Sequence, residues 1–127
     1  MHIGYFLDIA RHRYPDKTAL VSEGRRYTYT QLYERVQRLM VALEGLGVRK
    51  GDRVATLMWN CSEMVECYLA AVRLGAIFTP FNYRLRSREI AYLLAHSEPS
   101  VIITEEKCQD LCLEAAAEVS GPGPIIS

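Results

Sequence analysis

Apolar and polar positions follow two different periods along this chain, and the changes of period mark its elements. Phe6, Ile9 and Ala10 recur at helical spacing, which predicts a short amphipathic helix over residues 5–13 with those three side chains inward. Tyr14-Pro15-Asp16 ends it, because the residue before a proline is pushed out of the helical region. Ala19–Val21 and Arg26–Tyr29 read as two strands, and Glu23-Gly24 between them reads as the turn of a β-hairpin. The helical period then returns. Leu32, Val36, Leu39, Met40, Leu43 and Leu46 form one stripe, with Glu34, Arg35, Gln37, Arg38 and Glu44 opposite. Thr30 is the expected N-cap, and Gly47 the expected C-terminal stop.

From Arg53 the pattern changes again. Arg53–Met58 is apolar almost throughout, as a strand covered on both faces would be. Asn60 and Glu63 have capping-box spacing, with Ser62 as the alternative cap of a mostly apolar helix reaching about Leu74. Gly75 closes that helix, and a short strand runs from Ala76 to Thr79 and stops at Pro80. Ser87 opens the next helix, with Glu89 in its first turn, Ile90, Leu93 and Leu94 inward and His96 in its last turn. Val101–Thr104 is a further strand. A last helix places Cys108, Leu111, Cys112, Ala115, Ala116 and Val119 on one face. Gly121-Pro-Gly-Pro124 stops it, and Ile125-Ile126 reads as the start of one more strand. Strands alternating with helices predict an α/β fold: a parallel sheet with helices on both faces, preceded by a β-hairpin.

At 127 residues one domain is the default. Apolar residues make up 50% and charged residues 24%, the balance of an ordinary globular chain. The formal net charge is zero, so no basic excess argues for nucleic acid. Neutrality also gives little protection against self-association, and a homo-oligomer is an open expectation. No signal-peptide pattern is present, since Asp8 interrupts the apolar stretch near the start, and no apolar run is long enough to span a bilayer. Cys61, Cys67, Cys108 and Cys112 lack Cys-x-x-Cys spacing, so they are read as small core hydrophobes in a reducing, cytoplasmic setting rather than metal ligands or disulfides.

Candidate chemistry is sparse. Gly45, Gly47 and Gly51 superficially suggest a dinucleotide fingerprint, but the third glycine comes one residue late and the group follows a helix instead of a strand. The serines and the three histidines sit without a local nucleophile motif, mostly at element ends; His12 falls off the apolar face of its helix. Tyr27, Tyr29 and Tyr33, beside Arg25 and Arg26, are expected to pack on the hairpin and its helix. Trp59 either lines a pocket at the carboxyl edge of the sheet or packs in the core, and core packing is the simpler reading. Arg84, Arg86 and Arg88 read as a solvated loop, with contact to an anion as the alternative.

Several segments resemble one known family in order and spacing. They are Tyr14-Pro-Asp-Lys-Thr-Ala-Leu20, Tyr27-Thr-Tyr-Thr-Gln-Leu32, Gly47-Val48 with Gly51-Asp-Arg-Val-Ala55, and Asn60 with Glu63. Leu74-Gly-Ala76 with Pro80 and Asn82, and Glu89-Ile-Ala-Tyr-Leu-Leu-Ala-His-Ser97, complete the set. Together they resemble the N-terminal region of AMP-forming acyl-CoA synthetases, the adenylate-forming ligases, over roughly Tyr14 to Thr104. Gln31 stands where the family usually has glutamate. Asn82 after Pro80, with Tyr-Arg-Leu following, resembles fatty-acid or medium-chain acid ligases more than peptide-synthetase adenylation domains.

The resemblance implies a parent reaction: carboxylate, ATP and coenzyme A become acyl-CoA, AMP and pyrophosphate. It implies ATP, magnesium and coenzyme A for the full-length family. The family's phosphate loop, its acidic motif, its ribose-binding aspartate and its adenylation lysine all lie beyond the matching region. The tail Ser120-Gly-Pro-Gly-Pro124 lacks the threonines and lysine of that loop. Residues 1–127 are therefore expected to be one N-terminal subdomain of a larger, truncated enzyme fold. The expected partner is the remainder of the parent enzyme. No catalytic, cofactor-binding or metal-ligating residue is assigned, and no cofactor is expected on this chain alone. The alternative is a non-catalytic α/β module that dimerises or binds a partner.

Overall fold

A computed structural model describes residues 5–22, 24–59, 62–119 and 123–126. The elements run α1 (Phe6–Arg13), β1 (Thr18–Ser22), β2 (Arg25–Thr28), α2 (Tyr29–Gly45), β3 (Arg53–Leu57), α3 (Ser62–Leu74) and β4 (Ile77–Phe81). There follow α4 (Ser87–Ser97), β5 (Val101–Thr104), a 3-10 turn (Glu106–Cys108), α5 (Gln109–Ala116) and β6 (Ile125–Ile126). β1 and β2 pair antiparallel, as the hairpin pattern predicts, with an irregularity between Thr18 and Leu20. The remaining strands form a parallel sheet in the order β4-β3-β5-β6.

The apolar run of β3 is explained by its place. Val54 to Leu57 are fully buried because β3 is paired on both edges and covered on both faces. Val54, Val101 and Ile103 face a core shared with α2 and α3, where Cys67, Ala70 and Ala71 are small enough to let α3 pack close. Ala55, Leu57 and Ile102 face the opposite core, built with Ile90 and Leu94 of α4 and with Cys112 and Ala115 of α5. Two cores on opposite faces of one sheet make the doubly covered α/β architecture that the alternating pattern predicts.

Helix ends follow local chemistry. The Val48 amide donates to the Leu43 carbonyl (3.1 Å) and the Gly47 amide to Glu44 (3.0 Å), while Gly47 takes φ 91°. α3 closes in the same way, with Ala76 donating to Ala71 (2.9 Å) and Gly75 at φ 76°. At the other end of α2 the cap is Thr28, not Thr30. The Gln31 amide donates to Thr28 Oγ1 (3.1 Å) and the Thr28 amide donates to Gln31 Oε1 (2.9 Å), a reciprocal pair that Thr30 has no partner three residues on to match. Thr30 instead donates to the Pro15 carbonyl (3.0 Å), tying the start of α2 to the preceding loop. Tyr29, expected at the end of a strand, is the first residue of the helix. At α4 the Glu89 carboxylate accepts from the Arg86 amide (3.2 Å), as its first-turn position leads one to expect.

Three other expectations are corrected. α1 is rotated so that Leu7 and Ala10 are buried, while Phe6 (56% exposed) and Ile9 (40%) face outward. The Asp8–Arg73 ion pair (3.2 Å) and Arg11 over the Tyr33 ring (3.9 Å) hold that rotation. Leu46, placed in the α2 stripe, lies past the last helical residue and is exposed. Pro80 does not end its strand: β4 continues to Phe81, with Pro80 opposite Thr56. β4 is an edge strand of the described sheet, where a residue without an amide proton need not break a ladder. The expected Asn60–Glu63 cap, the Glu23 turn position, Cys61 and the Ser120–Pro122 part of the tail lie wholly or partly outside the described residues.

Candidate functional site at the carboxyl edge of the sheet

The strand order locates a site before any side chain is considered. From β3 the chain crosses to β4 on one side, then returns past β3 to β5 on the other. The loops after β3 and β5 therefore leave in opposite directions, and a crevice opens between them, as at the switch point of other open α/β sheets. A recess of about 440 Å³ lies there, floored by Leu39, Met58, Cys67 and Ile103. A second recess of about 420 Å³ lies beside it at the ends of β3 and β4, between Met58, Met64, Phe81 and Arg84. Met58 contributes to both.

Three loops meet at this edge through side chains. The Trp59 amide donates to Glu105 Oε1 (2.8 Å), joining the loop after β3 to the loop after β5. Buried Thr104 donates its hydroxyl to the Leu57 carbonyl (2.9 Å), reinforcing the same junction. The Trp59 ring stacks on Tyr83, with centroids 4.8 Å apart and planes at 22°, joining in the loop after β4. Lys107 Nζ sits 4.8 Å from the centre of the same indole. Trp59 is 46% exposed at the carboxyl edge, which rejects the buried-core reading, and it is not among the residues that line either recess. Tyr83 was not singled out by sequence reasoning, because nothing local announces a stack between residues in separate loops.

The electrostatics of the two recesses differ. Glu63, Glu66, Glu105 and Glu106 border the larger one. Arg25 pairs with Glu63 (3.4 Å), and the Arg35 guanidinium grips both oxygens of nearly buried Glu66. That hydrogen bond to Glu66 raises the Arg35 pKa further. Glu105 and Glu106 then stand against Lys107, leaving the recess slightly negative. Such a lining does not fit a triphosphate, which needs positioned cations and amide donors. The smaller recess has Arg84 and no carboxylate among its described lining residues. The Arg84 amide donates to Asn82 Oδ1 (2.9 Å), and its Nε reaches the Tyr83 hydroxyl (3.3 Å).

The other candidates stay apart from this edge. His12 and His96 are exposed on α1 and α4, and Arg86 and Arg88 are exposed at the start of α4. Tyr29 and Tyr33 pack against the first core. Cys67, Cys108 and Cys112 are buried. Burial pushes the Cys108 and Cys112 thiols up, and the Glu105 carboxylate adds to the effect on Cys108. Among the described residues no group of histidine, cysteine or carboxylate side chains is arranged to hold a metal ion.

Comparison with known proteins agrees with this geometry. The AMP-binding enzyme family matches residues 7–125. The crotonobetaine/carnitine–CoA ligase of Salmonella typhimurium is 36% identical over 114 residues, covering 86% of this chain and 22% of that protein. The chain thus spans about a fifth of the length of the curated relatives it matches. Among solved structures, the N-terminal domain of FACL13 from Mycobacterium tuberculosis superposes with a TM-score of 0.93 at 30% identity, over 99% of this chain and 33% of that one. A fatty acyl CoA synthetase of the same organism gives 0.91 at 31% identity, over 99% and 26%. With the sheet order, both cores and nearly every residue accounted for, the chain belongs to the AMP-binding enzyme family.

Proposed function

We propose that this chain is the amino-terminal part of an ATP-dependent acyl-CoA ligase acting on a fatty or medium-chain acid, and that alone it does not adenylate carboxylates. In the whole enzyme a carboxylate oxygen attacks the α-phosphorus of ATP and pyrophosphate leaves. The thiolate of coenzyme A then attacks the acyl carbon and AMP leaves. The observation that carries the reading is the family match over residues 7–125, in a fold that keeps the carboxyl edge open.

The acid class is supported by Asn82-Tyr-Arg-Leu85 and by the fatty acyl CoA synthetase among the structural neighbours. Inactivity of the chain alone is supported by the excess of carboxylate over cation in the switch-point recess, which would repel a triphosphate. ATP, magnesium and coenzyme A would then be held by the remainder of the parent enzyme, which is the partner this reading requires. The buried thiols suit a reducing cytoplasm. Among the described residues no helix is long and apolar enough to cross a membrane.

The test is pyrophosphate release with ATP, magnesium and acids from short to long. The chain alone should match a heat-killed control, and the chain joined to a ligase remainder from a close relative should turn over. Turnover by the repurified chain alone would refute the inactivity. A joined enzyme that folds but activates no acid would refute the ligase reading.

A further inference from the structure

We propose that the outer face of α1 is a lipid-contacting surface, which docks the chain flat on an anionic membrane without crossing it. The face follows from the rotation of the helix. Leu7 and Ala10 are buried, Asp8 is paired with Arg73, and Arg11 lies over the Tyr33 ring. Phe6, Ile9 and Arg13 remain outward, at helical positions i, i+3 and i+7, with Tyr5 and His12 beside them.

The apolar part of this face is concentrated. Tyr5 (61% exposed), Phe6 and Ile9 stand in water within one turn of each other. Apolar residues scattered singly over a surface are ordinary, whereas adjoining ones mark a contact surface. Tyr14, also exposed, stands just past the other end of the helix. A tyrosine at each end suits a boundary between oil and water, because the ring is apolar and the hydroxyl stays wet.

Charge selects lipid over a second copy of the chain. Within residues 5–17, Arg11, Arg13 and Lys17 stand against Asp8 and Asp16, and Asp8 is already committed to Arg73. Lys17 lies over the Tyr14 ring (4.5 Å), and Lys50 lines a recess at the Tyr5 end. Cations thus gather around α1 in a chain whose formal charge is zero. A second copy seated on this face would bring like charges together, whereas anionic headgroups attract them. A helix whose apolar side chains enter the acyl boundary while its cations stay at headgroup level lies in the plane of the membrane. At about 12 Å in length, α1 gives a weak and reversible attachment.

The inference does not depend on the acid-ligase reading. Flotation of the 127-residue chain is measured with vesicles of phosphatidylcholine alone, and with vesicles of phosphatidylcholine and phosphatidylserine in equal parts. The chain should float with the mixed vesicles and not with the neutral ones, and added salt should weaken the binding. Phe6→Ser together with Ile9→Ser should weaken it about tenfold or more. Arg13→Gln should weaken it about fivefold at low salt. Leu113→Ser alters a similarly exposed residue on α5, across the sheet, and should change nothing. Trp59 is the only tryptophan, so Phe6→Trp in a Trp59→Phe background places the one indole on the face. Its emission should shift to the blue on mixed vesicles and be quenched by brominated acyl chains.

Native circular dichroism is required of every variant, and if the double serine variant does not fold, the quenching of Phe6→Trp reads the same contact. The proposal is overturned if the unaltered chain does not float, if it floats equally with neutral vesicles, or if the folded double variant floats as well as the unaltered chain. An indole at position 6 that brominated chains do not quench would overturn it too. Sedimentation equilibrium tests the second copy: a dimer of the unaltered chain that the double variant abolishes would assign the face to self-association instead. In the chain joined to a ligase remainder, an indole at position 6 shielded from acrylamide before lipid is added would assign the face to that remainder. Pyrophosphate release by the joined enzyme judges the ligase reading separately, so either can fail while the other stands.

Discussion

The Arg35–Glu66 pair offers the sharpest test of how this chain is held together. Glu66 lies on α3 with its side chain 9% exposed, while Arg35 on α2 is 37% exposed and also covers the Tyr27 ring of the hairpin at 5.0 Å. One guanidinium thus ties α2, α3 and β2. Arg35→Met keeps the apolar stem but strands the Glu66 carboxylate against the core. Losing one partner of a fully buried pair costs about 3–5 kcal/mol, and losing an exposed pair costs under about 1. With one partner buried and the other in contact with water, about 2 kcal/mol is expected, or a fall of about 6 °C in melting temperature for a chain of this size. Glu66→Gln leaves an amide that still accepts from Arg35 and should cost about 1 kcal/mol. The double variant should cost less than the sum of the singles by about 1 kcal/mol or more. Urea unfolding followed by circular dichroism, with unchanged m-values, measures all three. Additive losses, or a loss below about 0.5 kcal/mol for Arg35→Met, would refute the argument that the stranded carboxylate dominates.

Thr28→Ala should remove the reciprocal cap of α2 and cost about 1 kcal/mol in the same assay, with Thr28→Ser close to neutral. Gly123 sits at φ 84°, and a Cβ there would lie 2.9 Å from the Pro99 carbonyl oxygen, so Gly123→Ala should cost more than about 1 kcal/mol. Hydrogen exchange should locate that loss at the Ile102 amide, which donates to Pro124 (2.9 Å). Cys108 and Cys112 have thiol pKa values raised by burial, so the unfolded chain loses those protons first as pH rises. Their contribution is therefore intact below the ordinary thiol range and is lost as pH climbs from there through the raised values. Replacing both by alanine should flatten the alkaline decline seen in melts between about pH 8 and 10.

What the sequence shows and what it hides divide along physical lines. A strand covered on both faces has no polar side, so Arg53–Leu57 is legible from its apolar run alone. α1 carries two overlapping apolar stripes, Phe6–Ile9–Ala10 and Leu7–Ala10, and only contacts with Arg73 and Tyr33, distant in sequence, choose between them. Thr28 and Thr30 are equivalent cap candidates until Gln31 is counted. The strand order, and with it the site, depends on which partner β3 takes on each edge, and no local period encodes that. Trp59 meets Tyr83 only because two separate loops end at the same height of the sheet.

The position of β3 in the sheet also bears on synthesis of the chain. Both of its pairing partners lie later in sequence: β4 ends at Phe81, and Thr104 of β5 is 47 residues beyond Leu57. On a ribosome adding about 5–20 residues per second, the most apolar strand waits several seconds with at least one bare edge after it is made. Until α4 follows β4, only the hairpin and α1–α3 exist to cover it, and they shield one face. A strand so timed is a natural substrate for a chaperone that binds short apolar segments. The yield of folded protein should therefore depend more on how quickly translation passes from β3 to β5 than on the stability of the finished fold.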